Sequence, residues 1–468
     1  MLKLVLGASG SGKTTLLYAR IRARAEAGKR SILLVPEQFT SSTEARIYRE
    51  LGDALSGMVE SYSFTSLAEH ILAVEGGAAV QTLTDAGRAV LVRRALEELQ
   101  DNVHYYYRHR RSAAFCQMAA ETIDELKSAG LSGQQLQELA RDCGTESAKL
   151  GELALIFQGY ESLLAGTGMD PADRLELAAD RLEAALARDE LPDFLREREV
   201  FIDEFDTFNA PKKRLMGAML AALPAVTVAL CEDGAPMQPG DLELFSGAKQ
   251  VAAQLRQLAR KNGAQVAAPE LLRRDLRHKD APGLAALTEL LETGSCTPPE
   301  SAPELRLFAA ASREEEARCA AAAIRRLMRQ GVRCGKIAVV CRDISLYRAA
   351  VRYEFRMAEI PLYCDEPTTP EFSAPATAVR ALLALLRGAD MTEQLTVLAK
   401  TGLCDLTEPE VCALENYAYT WSPNAAAWRA EFTKSPRGFG DAELTEEDTQ
   451  NLTRAENARK KLVTAVDT

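Results

Sequence analysis

A short apolar stretch at the N-terminus, residues 2–6, leads directly into a glycine-rich segment of the form G-x-x-x-x-G-K-T. The glycines of such a segment let backbone N–H groups surround phosphate oxygens, and the helix that follows points its N-terminus at them. Lys13 is expected to reach the β- and γ-phosphates, and the Thr14 hydroxyl to hold Mg²⁺. The sequence therefore predicts a site for ATP and Mg²⁺ in the segment Gly7-Ala8-Ser9-Gly10-Ser11-Gly12-Lys13-Thr14-Thr15.

A P-loop needs a second acid to complete its magnesium site, and one apolar stretch ends in two carboxylates. Val200, Phe201 and Ile202 are typical of a buried strand, and Asp203 and Glu204 follow directly. Ligands of a parallel sheet lie at the carboxyl ends of its strands. We therefore expect Asp203 to hold Mg²⁺ through water and Glu204 to polarise the attacking water, with Lys13 as the third catalytic group.

Two further segments place hydroxyl groups and an aromatic ring just past a predicted strand. They are Pro36-Glu37-Gln38-Phe39-Thr40 and Ser61-Tyr62-Ser63-Phe64-Thr65-Ser66-Leu67. Such side chains suit phosphate contact and base stacking, which predicts DNA contacts at Gln38, Phe39, Thr40, Ser63, Phe64 and Thr65. Turn formation or helix capping explains the same residue types equally well.

The densest basic and aromatic cluster of the chain is His104-Tyr105-Tyr106-Tyr107-Arg108-His109-Arg110-Arg111. One interpretation is a surface that binds a nucleic-acid strand. The other is a loop or helix end whose rings pack together while its arginines are solvated. Both interpretations stay open from the sequence alone.

Alternating strand and helix patterns from the first residue favour a parallel sheet covered by helices. Residues 84–195 are helical throughout, and strand character returns at 199–203 and 225–230, which predicts a helical insertion within one α/β domain. The predicted organisation is a first P-loop domain over 1–83 and 196–280, the insertion over 84–195, and a proline-rich linker over 281–304. A second α/β domain is predicted to begin over 305–390, with strands at 305–310 and 336–341, and to be interrupted by a helical insertion over 391–468.

Composition sets the broad class. The chain has 468 residues, of which 47% are hydrophobic and 26% charged, with a net charge of −11. It offers no signal peptide and no apolar run long enough for a membrane span, which predicts a cytoplasmic protein without membrane contact. Its ten cysteines form no C-x-x-C pair, so a zinc site is not expected.

In these segments the chain resembles the N-terminal part of the AddB (RexB) family, which supplies one of the two subunits of the bacterial ATP-dependent helicase–nuclease. The resemblance extends over essentially the whole chain. It is carried by residues 4–15, by Val35-Pro36-Glu37-Gln38-Phe39-Thr40, by 63–67, by Phe201-Ile202-Asp203 with Phe205 and Phe208, and by 311–316, where Arg313 is a possible contact across a domain cleft.

The resemblance implies a superfamily 1 helicase-like α/β fold with two RecA-like P-loop domains and helical insertions. It further implies a heterodimer with an AddA-type helicase–nuclease subunit. That complex acts as a helicase and exonuclease on single strands and duplex ends of DNA, in recombinational DNA repair. The family also carries a nuclease domain and an iron–sulfur cluster, whose ligands are not recognisable in this chain.

Two hypotheses follow. In the first, the chain is an ATP-hydrolysing helicase subunit; Glu204 favours it, because many family members have glycine at that position. In the second, the chain is a DNA-binding subunit that uses ATP as a structural ligand. The stretch Cys231-Glu232-Asp233-Gly234 favours the second, because it lacks the glutamine with which active helicases couple hydrolysis to strand movement.

Overall fold

The computed structural model describes residues 1–76, 82–165, 167–236, 244–364, 370–440 and 443–467. The chain divides into two compact units, Met1–Arg306 and Leu307–Thr468. None of the helices within these ranges is both long enough and apolar enough to cross a membrane.

The first unit is built around a six-stranded parallel sheet with the order β3-β2-β4-β5-β1-β6. Its strands are β1 Leu2–Gly7, β2 Ser31–Leu34, β3 Val59–Tyr62, β4 Glu199–Ile202, β5 Ala225–Cys231 and β6 Glu270–Leu272. The first five confirm the predicted strands, whereas β6 has no counterpart among them. Because all strands run the same way, their carboxyl ends share one edge, to which every predicted site residue of this unit belongs.

Both faces of the sheet are covered by helices, which explains why its strands are almost wholly apolar. Leu4 and Leu6 of β1 face one core, and Val5 between them faces the other. The helices of this unit are α1 Lys13–Glu26, α2 Thr40–Leu51, α3 Asp53–Ser56, α4 Phe64–Glu75, α5 Asp85–Glu98, α6 Ala113–Ser128, α7 Gly133–Ala140, α8 Ser147–Leu164, α9 Asp173–Ala187, α10 Ala210–Ala222, α11 Ser246–Lys261 and α12 Pro282–Thr293.

The chain leaves the sheet after β3 and returns at β4, which lies between β2 and β5. Helices α5 to α8 enclose a separate core around Val92, Ile123 and Phe157. In contrast, α9 packs its residues Ala178 and Leu182 into the core of the sheet, although it lies in the segment 84–195 that was predicted as the insertion. The region with its own core is therefore smaller than that segment.

The second unit differs from its prediction. Its helices are α13 Arg313–Arg329, α14 Ile344–Met357, α15 Ala374–Leu386, α16 Met391–Lys400, α17 Glu408–Trp421, α18 Ala425–Arg429 and α19 Glu446–Asp467. The described residues of this unit form no strand. Residues 305–310 and 337–341 belong to no regular element, and Lys336 ends a short 3-10 helix, Cys334–Lys336. Leu307 is 99% exposed and Val340 is 89% exposed. A parallel strand needs a neighbouring strand, and the described residues supply none here.

The segment predicted as a linker is partly helical. Residues 281–304 contain α12, whose N-terminal Gly283 N–H donates to Glu304 Oε1 at 2.6 Å. Pro282 stands at the first position of this helix, where proline is favoured because it has no N–H to leave unpaired.

Candidate functional site

The glycine-rich loop follows β1 and ends at α1. Gly10 and Gly12 have φ of 81° and 91°, a left-handed conformation that side chains with a Cβ rarely adopt. Gly12 is the residue that caps α1, so the N-terminus of this helix opens toward the loop. The backbone thereby takes the form that receives an anion.

Lys13 lies inside this loop. Its ammonium donates to the carbonyl oxygens of Gly7 at 2.7 Å and Ala8 at 2.8 Å. Burial lowers the pKa of Lys13, since the charged form is less well solvated there. The side chain is thus held at the loop, where it can exchange carbonyl contacts for phosphate oxygens.

The two carboxylates after β4 face the same cavity. Asp203 is buried; its backbone N–H donates to Leu34 O at 3.1 Å, and its Oδ1 accepts from the Glu204 N–H at 3.0 Å. Glu204 has a φ of 65°, a left-handed turn that directs the chain away from the strand. Burial, and after it the charge of Asp203, raises the pKa of Glu204.

We call the cavity enclosed by these groups the nucleotide pocket. Its volume is about 550 Å³, and its lining includes Ser9, Gly10, Gly12, Lys13, Thr14, Thr15, Arg46, Asp203, Glu204 and Arg277. Hence the structure brings together the residues predicted for phosphate and Mg²⁺ from two strand ends. A left-handed glycine loop, a lysine, a threonine hydroxyl and a buried aspartate fit the needs of a magnesium-bound triphosphate.

Two arginines of the pocket were not predicted. Arg277 follows β6; its guanidinium donates to Ser9 Oγ at 3.2 Å, and the neighbouring Leu276 N–H donates to Gly10 O at 3.0 Å. Asp275 fixes this turn, because its Oδ1 accepts from the N–H groups of Arg277 and His278. The basic run from Arg273 to Arg277 after an apolar pair was the available signal in the sequence.

The second arginine, Arg46, comes from α2. Its guanidinium lies 4.8 Å from the ring centre of Tyr18 on α1, a distance at which the face of the ring attracts the positive charge of the arginine. Arg46 also lines a smaller cavity of about 290 Å³, which contains Phe39, Asp203 and Glu204 as well. This helix therefore reaches from the nucleotide pocket to the segment that follows β2.

We call residues 37–40 and 63–65, which follow β2 and β3, the strand-end surface. It contains the residues predicted to contact DNA together with Glu37. Gln38, Phe39 and Thr65 are exposed there. The Thr65 hydroxyl donates to Glu37 Oε1 at 2.9 Å, which joins the two segments. The side chain of Thr40 lies outside the described part of the structure.

Two residues of the strand-end surface, Ser63 and Phe64, have structural roles. Ser63 caps α4: its Oγ accepts from the Ser66 N–H at 3.1 Å, and its own N–H donates to Ser66 Oγ at 2.8 Å. Phe64 is fully buried, with its ring centre 5.2 Å from that of Phe205 and 6.0 Å from that of Phe208. In this arrangement the ring of Phe64 packs beneath the strand-end surface.

Arg313, the predicted cleft contact, begins α13 of the second unit. Its guanidinium lies 6.0 Å from the ring centre of Tyr347, and Ser312 caps the helix by accepting from the Glu315 N–H at 3.3 Å.

Comparison with known proteins agrees with the resemblance. Residues 4–288 match the family model described as ADDB, N-terminal. The relatives are named as the B component of an ATP-dependent helicase/deoxyribonuclease; those of Desulforudis audaxviator and Moorella thermoacetica are 32% identical over 91% of this chain and 31% identical over 92%. That of Clostridium perfringens is 27% identical over 100% of the chain.

The matched regions make up 37%, 38% and 41% of these three relatives, so the chain spans about two fifths of their length. The family model covers more than half of the chain, including β1, the glycine-rich loop, the strand-end surface and both carboxylates after β4. The chain belongs to the AddB family and corresponds to the N-terminal region of its members.

Proposed function

We propose that this chain is the ATP-binding, DNA-contacting part of a helicase–nuclease subunit that processes DNA ends with an AddA-type partner. The observation that carries the proposal is the convergence of Lys13, Asp203 and Glu204 on one pocket at the end of a parallel sheet. The name of the relatives supports the reaction class, since it describes an ATP-dependent helicase/deoxyribonuclease.

In the proposed reaction, the glycine-rich loop and Lys13 bind the β- and γ-phosphates. Thr14 and Asp203 hold Mg²⁺, which would neutralise charge on these phosphates when bound. Arg277 and Arg46 supply positive charge at the rim, and Glu204 orients the attacking water. Single-stranded DNA would cross the same sheet edge at Gln38, Phe39 and Thr65, the exposed members of the strand-end surface.

A non-hydrolysing role for ATP is the second candidate, because the stretch 231–234 at the end of β5 carries no glutamine with which to couple hydrolysis to strand movement. Asp233, shortly after β5, is held by Lys249 at 3.1 Å, and the Lys249 side chain is almost fully buried. Asp233 therefore forms an ion pair within the fold and does not line the nucleotide pocket. ATP would then serve to order the sheet edge for DNA binding.

One pair of variants tests both candidates. Lys13→Ala is expected to weaken ATP binding by roughly 30- to 100-fold, because it removes charge-assisted hydrogen bonds to phosphate. Glu204→Gln is expected to leave ATP binding intact and to reduce DNA-stimulated turnover by roughly 10²- to 10⁴-fold, the usual contribution of a general base.

Binding is measured by the fluorescence of an N-methylanthraniloyl ATP analogue, and turnover by phosphate release with and without an oligonucleotide. Arg22→Ala, an exposed change on α1 outside the pocket, is the matched control. Tight ATP binding without turnover in the unmodified chain establishes the second candidate. Unchanged ATP affinity in Lys13→Ala contradicts both.

A further inference from the structure

The loop of residues 104–111, between α5 and α6, is ordered by one carboxylate. Glu152 on α8 accepts from the N–H groups of His104, Tyr105 and Tyr106 at 2.8 to 3.1 Å. Three successive donors bound to one side chain fix the backbone of the loop. Its side chains are therefore presented in a defined arrangement.

Half of the loop's aromatic and basic groups are accounted for by packing. The ring of Tyr106 stacks on Phe115 at 5.4 Å, and that of His109 lies 5.6 Å from Phe115. The Arg110 guanidinium lies 3.8 Å from the ring centre of Tyr107 and donates to Tyr107 O. These groups hold the loop together and are not free for a partner.

Three of the remaining groups are exposed, although the ring of Tyr105 also contacts that of Tyr106, with the ring centres 4.9 Å apart. The side chain of Tyr105 is 59% exposed, and both Arg108 and Arg111 are exposed. No ion pair is formed by either arginine within the described residues, whereas Arg93 and Arg94 nearby on α5 pair with Glu97 and Glu98. An ordered loop thus presents two uncompensated guanidinium groups and one ring to solvent.

A groove continues from the loop between α5 and α6. Its volume is about 390 Å³, and Ala89 and Val90 contribute apolar surface. Arg93 and Arg111 line it, together with Asp85, which forms an ion pair with Arg88. Val90 is 63% exposed, so this apolar surface is not covered within the unit. An apolar surface beside arginines suits an unpaired base.

We propose that the loop 104–111 and this groove form a binding site for single-stranded nucleic acid, distinct from the strand-end surface. Arg108 and Arg111 contact backbone phosphates, and Tyr105 stacks on an unpaired base. A duplex keeps its bases stacked inside, so an exposed ring beside a groove fits a single strand better. The proposal rests on the DNA-contacting function proposed above and assigns part of it to the helical insertion.

The test uses the chain with a fluorescein-labelled oligo-dT of about 20 nucleotides, followed by anisotropy over a range of salt concentrations. Arg108→Ala/Arg111→Ala removes two phosphate contacts, so the slope of log K against log salt should become shallower by about 1.4. Tyr105→Ala should weaken binding roughly tenfold at every salt concentration, and Tyr105→Phe should restore it, because stacking needs only the ring.

The control is Arg22→Ala/Arg181→Ala, which makes the same change in net charge at two exposed positions elsewhere in the unit. ATP-analogue binding, measured in parallel, should be unchanged in all variants. That readout separates this proposal from the nucleotide site.

Equal salt slopes for the two double variants overturn the proposal, and so does a Tyr105→Ala variant that binds like the unmodified chain. If an acidic peptide of matched charge competes as well as oligo-dT, the surface belongs to a protein partner and the proposal is wrong. Failure of the unmodified chain to bind oligo-dT, with ATP binding intact, removes this site and the proposed DNA function together.

Discussion

The nucleotide pocket and the strand-end surface lie on the same edge of one sheet, yet they use their residues in opposite ways. In the pocket the predicted side chains themselves face the cavity, with Lys13, Asp203 and Glu204 around it. At the strand-end surface Phe64 is fully buried and Ser63 is buried, whereas Gln38, Phe39 and Thr65 face outward. The same kind of sequence pattern therefore leads to a lining residue in one region and to a supporting residue in the other.

The difference has a physical cause. The backbone of the glycine-rich loop determines where its groups point, because Gly10 and Gly12 adopt a left-handed conformation that other residues rarely take. After β3 the chain enters α4 at once, and the first position of that helix faces the core, where Phe205 and Phe208 receive the ring. An aromatic residue at that position gains more from burial than from exposure.

The largest expected effect tests this supporting role. Phe64→Ala should lower the free energy of unfolding by about 3 to 5 kcal/mol, the usual cost of removing a buried phenyl ring. Urea denaturation followed by circular dichroism measures it, and Phe64→Leu is the control, with a smaller expected loss. A Phe64→Ala variant with unchanged stability and abolished oligonucleotide binding would show instead that the ring serves DNA directly.

A smaller effect is expected at the rim of the pocket. Arg277→Ala should raise the dissociation constant of the ATP analogue roughly tenfold, since one charge-assisted hydrogen bond to phosphate is lost. Arg273→Ala is the matched control, because Arg273 is exposed in the same segment but does not line the pocket. Equal affinities of the two variants would exclude a phosphate contact by Arg277.

The sequence predicts best what local backbone and strand patterns determine. The apolar runs of β1 and β4 stop at Gly7 and Asp203, which places the glycine-rich loop and the acid at strand ends. Arg46 and Arg277 reach the pocket through tertiary packing, from α2 and from the turn after β6. No local pattern marks Arg46, and the basic run that contains Arg277 does not by itself reveal the contact.

In the second unit, apolar sequence patterns that resemble strands do not lead to strands. Residues 305–310 and 336–341 have the composition of strands, but a strand forms only where a neighbour completes its hydrogen bonds. In the first unit β4 finds β2 and β5 on its two sides. The described residues of the second unit offer no such neighbour, and helices α13 and α14 pack together without a sheet.

The smallest expected effect concerns Glu37 of the strand-end surface. Its pKa is lowered, whereas the pKa of Glu204 in the nucleotide pocket is raised. Burial alone would raise the pKa of Glu37, but hydrogen bonds from its own backbone N–H and from the Thr65 hydroxyl outweigh burial and lower it. A carboxyl whose pKa is lowered on folding stabilises the fold above its unfolded pKa, and that contribution is lost as the pH falls through the lowered folded value.

Thr65→Val should therefore cost less than about 1 kcal/mol at neutral pH, because the bond lies at the surface and is screened by solvent. The difference from the unmodified chain should shrink as the pH is lowered through the acid range, where Glu37 is protonated in both proteins. Urea denaturation at neutral and acid pH measures it, with Thr65→Ser as the control that keeps the hydroxyl. A difference that is independent of pH would mean that Thr65 acts through packing, and the bond between the two segments would then contribute nothing to the strand-end surface.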